Sequence, residues 1–92
     1  MIDEAEKTIR LGEEADKLLK NRLLNGAITH IRNKQYQSIE ESLGEEGAIR
    51  DDAYYMLRVI KEFEKFLVRV VKDGTAASNQ IKNQQTISRI IR

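Results

Sequence analysis

The chain has 92 residues, room for one domain with a modest core, and a net charge of +1. That balance supplies no global field to recruit nucleic acid or an anionic membrane. The absence of cysteine excludes disulfides and thiolate chemistry. No apolar run approaches the ~20 residues of a membrane span. Proline is also absent and glycine occurs only five times, which suits a few long helices better than a turn-rich sheet. The opening MIDEAEKTIR is acidic and lacks the basic flank and apolar core of a signal peptide. Together these features read as a cytoplasmic protein without a membrane partner.

Residues 3–20 predict a first helix. Asp3, Glu4 and Glu6 lie at its front and Lys17 and Lys20 at its end, which complements the helix dipole. Its apolar residues (Ile2, Ala5, Ile9, Leu11, Ala15, Leu18 and Leu19) drift around the helix, and Gly12 in the middle costs about 1 kcal/mol against alanine. Contacts with the rest of the chain or with another chain must therefore hold this segment.

Asn21 marks a break, because asparagine tolerates cap conformations. A second helix follows over about 22–43, with Leu23, Leu24, Ala27, Ile28, Ile31, Ile39 and Leu43 as its apolar set. Gln35 falls on that stripe and Tyr36 beside it. Asn25-Gly26 is a hairpin-turn signal in isolation, but without flanking strand alternation the pair is read as part of the helix. The two glycines of Leu43-Gly44-Glu45-Glu46-Gly47 end the helix in a compact loop. A loop this short returns the chain antiparallel and predicts an αα-hairpin with the segment that follows.

That segment, Asp51 to Gly74, is the strongest helix signal in the chain. Ala53, Met56, Ile60, Phe63, Leu67 and Val70 recur at steps of three and four, and Leu57, Val59, Phe66, Val68 and Val71 widen the stripe. Asp51 or Asp52 is placed to cap the first turn, Lys72 to sit in the last, and Gly74 to adopt a left-handed cap. After Gly74 the composition shifts to TAASNQIKNQQTISRIIR, which carries Lys82, Arg89 and Arg92 but no acid. Thr75 to Gln80 reads as linker, and Ile81, Ile87, Ile90 and Ile91 as a weak amphipathic helix or a free tail. The expected division is a helical domain over 1–74 and a basic tail over 75–92.

The chemistry-bearing residues are few. His30 is the single histidine, and with no cysteine beside it there is little for zinc or a nucleophile relay to use. Glu13/Glu14, Glu40/Glu41, Glu45/Glu46 and Asp51/Asp52 are adjacent pairs, which point about 100° apart on a helix and do not converge. No phosphate-cradling glycine motif occurs. The sequence therefore predicts no enzyme, no cofactor and no metal. Tyr54 and Tyr55 beside Arg58 suggest a stacking surface for bases, or one ring packed into the core edge and the other exposed. The second reading is preferred.

In their order, GEEADKLLKNRLLNGAI, a polar middle helix, an acidic turn at Arg50-Asp51 and a closing helix ending LVRVVKDG resemble a group of small phage-encoded helical proteins. The likeness covers about residues 10–76. Arg22 stands where those proteins commonly carry proline, and their frequent tryptophan is missing. The resemblance implies a virion-assembly or DNA-packaging setting in the host cytoplasm, and it brings no catalytic residue.

The expectation is thus an all-α fold: a hairpin of 22–43 against 51–73, the first helix packed across it, and a mobile tail. The central stripe is wider than one partner helix requires, so Phe63, Phe66, Leu67 and Val70 are predicted to meet another copy in a homo-oligomer. The leading function is a structural or adaptor protein, with another protein as a further partner. The alternative is a nucleic-acid-binding accessory using Arg58, Lys61, Lys65, Arg69, Lys82, Arg89 and Arg92.

Overall fold

The computed structural model describes residues 3–42 and 47–91, with side chains described through residue 86. Those residues are all helical apart from Asp3 and the junctions at 20–21 and 42, and no strand occurs among them. Three helices follow in order: α1 Glu4–Leu19, α2 Arg22–Glu41 and α3 Gly47–Ile91. None is long and apolar enough to cross a membrane among the described residues.

Local chemistry accounts for the α1–α2 junction. Asn21 has extended backbone (φ −72°, ψ 120°) and its side chain accepts a hydrogen bond from the Leu24 N–H at 2.9 Å, the standard service of an N-cap. Asn25 serves the other side: its amide donates to the Leu19 carbonyl at 2.9 Å, satisfying an acceptor that the end of α1 leaves open. Asn25 and Gly26 are both helical, as expected from the missing strand alternation. An added Cβ at Gly26 meets nothing within 4 Å, and the residue is exposed. Gly26→Ala should therefore stabilise the protein by about 0.5–1 kcal/mol through helix propensity alone, measurable as a rise in the urea midpoint.

α3 differs from expectation at both ends. It begins at Gly47, so Asp51 and Asp52 lie inside the helix, exposed, and do not cap it. The Leu43–Glu46 part of the predicted loop lies outside the described residues. At the other end α3 runs through Gly74 to Ile91 without a break. Gly74 is not a left-handed cap, and 75–80 is helix and not linker. The expected boundary at 74/75 falls within one continuous element.

Two compact units share α3: Met1–Leu18 with Phe66–Arg92, here the terminal unit, and Leu19–Lys65, here the middle unit. Along α3 the inward-facing residues follow a seven-residue repeat. Ala53, Ile60, Leu67 and Gly74 are buried at every seventh position, and Leu57, Glu64, Val71 and Ser78 are half-buried between them. Met56 and Phe63, placed on the buried stripe by the sequence, are instead exposed. Leu57, Glu64 and Val71 take their place one residue further on.

In the terminal unit the reason is visible. Gly12 of α1 and Gly74 of α3 face each other. A Cβ added to Gly12 would lie 3.0 Å from the Gly74 Cα and 3.2 Å from the Val70 carbonyl oxygen, and one added to Gly74 would lie 3.0 Å from the Gly12 Cα. Backbones meet here, and no side chain fits between them. Gly12, Ala15 and Gly74 are all buried around this crossing, so small residues set the approach of the two helices. The glycine that weakens α1 locally is the one that lets it dock. Thr75, Ser78, Asn79 and Lys82, expected to belong to a tail, line a groove with residues of α1.

In the middle unit α2 contributes no buried residue of its own. Leu24, Ile28, Arg32, Gln35, Ser38 and Ile39 are half-buried, and Leu23 is exposed despite its place in the apolar set. Ser42 is buried just past the helix, its hydroxyl donating to the Ile39 carbonyl at 3.1 Å. Arg32 reaches across to form an ion pair with Glu64 of α3. That pair occupies a position of the seven-residue repeat that would otherwise be apolar.

Candidate association surface and basic groove

Beside its buried line α3 carries a second apolar line. Met56, Val59 and Phe63 of the middle unit step by three and four residues and so share a face of the helix, and Phe66 and Val70 of the terminal unit stand four apart. In the middle unit Met56, Val59 and Phe63 are all exposed, Phe63 at 43%. In the terminal unit Phe66 is 63% exposed and Val70 half-buried. Of the four residues predicted to meet another copy, Phe63 and Phe66 are open to solvent and Val70 partly so. Leu67 is only 6% exposed and so is already covered within the chain.

The predicted nucleic-acid residues separate into three groups. Arg58, Lys61 and Lys65 line one groove of about 720 Å³ in the middle unit, together with Arg32 and Tyr36 of α2 and with Leu57, Glu62 and Glu64 of α3. Arg58, Lys61 and Lys65 recur at steps of three and four, which aligns them along one edge of α3. Both carboxylates in the groove have partners: Glu64 binds Arg32, and Glu62 lies 3.8 Å from Lys65. Neither Arg58 nor Lys61 has an ion-pair partner among the described residues. The sequence misses Arg32 and Tyr36 as members of this group. Their four-residue spacing puts them on one face of α2, but which part of α3 they meet depends on register between helices.

Lys82 belongs elsewhere. It lines a groove of about 390 Å³ in the terminal unit that Glu13, Asp16, Ser78 and Asn79 also line. Two carboxylates of α1 thus border the space that Lys82 lines, with no ion pair to Lys82 among the described residues. Arg69 is exposed on the terminal-unit part of α3. The side chain of Arg89, and Arg92 altogether, lie outside the described residues.

The tyrosine pair also departs from the preferred reading. Tyr54 and Tyr55 are both exposed, and neither packs into the core edge. Tyr54 stands four residues before Arg58 and so on the same side of α3 as the basic line. His30 is exposed on α2. Among the described residues no three histidine, aspartate or glutamate side chains gather closely enough to hold a metal ion. Comparison of the chain with protein-family models, curated proteins and solved structures finds no match.

Proposed function

We propose that this chain is a non-enzymatic structural or adaptor protein that works by helix-on-helix association, with a second copy of itself as its first partner. The exposed apolar residues of α3, Met56, Val59 and Phe63 in the middle unit and Phe66 in the terminal unit, carry this reading. A helix in a globular chain normally turns one apolar stripe inward and a polar face outward. Here a second apolar line stays open while smaller residues fill the seam. Each phenylalanine buried at a copy–copy contact contributes about 1.5–3 kcal/mol, so Phe63 and Phe66 would dominate such an interface. An antiparallel α2–α3 hairpin is the scaffold of this reading, and the Arg32–Glu64 pair puts α2 beside α3 at that point. The setting implied by the resemblance, assembly of a phage particle in the host cytoplasm, belongs to the same proposal.

Light scattering after size exclusion tests it. The full chain is expected to elute at a defined multiple of its 10.6 kDa mass. The double variant Phe63→Glu, Phe66→Glu should be monomeric with its helical circular dichroism retained, because both side chains are exposed and glutamate favours helix. A wild-type monomer with a cooperative melt would overturn the reading.

A further inference from the structure

The middle-unit groove has chemistry that the association surface does not use. It holds four cations against two carboxylates, and the two carboxylates are engaged by Arg32 and Lys65. The positive excess is therefore localised on Arg58 and Lys61. Both are exposed, and they sit three residues apart, about 5–6 Å between Cβ atoms on one edge of α3. Tyr36 lines the same space and is 55% exposed, so an aromatic side chain is accessible beside the charges. Two cations without an ion-pair partner among the described residues call for an anion, and an accessible aromatic side chain next to them calls for a flat ligand group.

We propose that this groove binds single-stranded nucleic acid, with Arg58 and Lys61 on the phosphate backbone and Tyr36 stacking against a base. A single strand supplies repeated monoanionic phosphates and free base faces together. A duplex supplies the phosphates but keeps its base faces stacked inside, leaving Tyr36 without a partner. A free phosphate would satisfy the cations and leave the ring idle. Binding rests on a local charge excess in a chain of net charge +1, so it is weak and sensitive to salt.

Fluorescence anisotropy of the full chain with a labelled oligothymidylate of about 20 nucleotides reads each part of the proposal. Two neutralised phosphates predict an affinity that falls about sevenfold between about 50 and about 200 mM salt. Arg58→Gln with Lys61→Gln should weaken binding at low salt and flatten the salt slope. Tyr36→Leu should weaken it about fivefold or more, and Tyr36→Phe should restore it, since stacking needs the ring and not the hydroxyl. Lys72→Gln, an exposed cation outside the groove, should bind as wild type does. Three results overturn the proposal: no binding at low salt, unchanged affinity in the Arg58/Lys61 variant, or loss confined to Arg89→Gln with Arg92→Gln. Equal affinity for a duplex of the same length would overturn the role of Tyr36.

Discussion

Gly12→Leu is expected to destabilise the protein by about 3 kcal/mol and to lower its melting temperature by about 10–20 °C. The site has no space to give. A Cβ alone already lies 3.0 Å from the Gly74 Cα and 3.2 Å from the Val70 carbonyl oxygen, and both are backbone atoms that cannot rotate away. A leucine must push α1 off α3 or stay outside the crossing. Hydrogen exchange locates the damage: α1 amides should lose protection while those of α2, in the other unit, keep theirs. Gly74→Leu should act in the same way from the opposite side. The double variant should cost less than the two losses added, because the first substitution has already parted the helices. Gly12→Ala is a finer test. Alanine gains about 1 kcal/mol of helix propensity, against about 1–3 kcal/mol of crowding, so the net change should be a loss. The same substitution at Gly26 should be a gain. Equal signs at the two positions would contradict the packing described for Gly12.

Leu67→Ala is expected to cost about 2–4 kcal/mol, and Phe66→Ala, at the next residue, under about 0.5 kcal/mol in the isolated chain. Side-chain size alone predicts the reverse order. Burial decides it: Leu67 is 6% exposed and Phe66 63%. Urea unfolding over a range of protein concentrations separates the two effects. The Leu67→Ala loss should appear at every concentration, because its contacts lie within one chain. The Phe66→Ala loss should grow with concentration, because any stabilisation by self-association follows mass action. A large, concentration-independent loss for Phe66→Ala would show that the ring packs within its own chain.

The structure also changes how the C-terminal segment can be probed. Removing residues 75–92 would be a clean test of a free tail. Thr75, Ser78, Asn79 and Lys82 instead line the terminal-unit groove with residues of α1. Truncation at 74 would strip that surface, and a loss of mass or binding could then report only local unfolding. Point substitutions on the exposed faces of α3 are the better instruments.

Much of the secondary structure was legible in the residues. The first two helices were expected over 3–20 and 22–43 and are observed at Glu4–Leu19 and Arg22–Glu41. The junction was readable because Asn21 acts on backbone groups a few residues away, within reach of local reasoning. Asn25-Gly26 reads as helix because strand alternation is absent around it. The basic members of the groove were partly legible too, since Arg58, Lys61 and Lys65 announce themselves by helical spacing.

Local sequence by itself thus determined that the described residues are helical, where the first junction falls and that Arg58, Lys61 and Lys65 share one edge of α3. Each follows from interactions between residues close in sequence. Tertiary structure decided what Gly74 is for: alone it reads as a helix stop, but opposite Gly12 it is the point where two backbones meet, and the helix continues through it. Tertiary structure also decided which of two apolar lines on α3 turns inward. Leu57 competes with Met56, and Val71 with Val70, on almost equal terms of hydrophobicity and period, while the charged Glu64 is half-buried where the more apolar Phe63 is exposed. The choice falls to contacts that no single helix contains, the glycine crossing in one unit and the Arg32–Glu64 pair in the other.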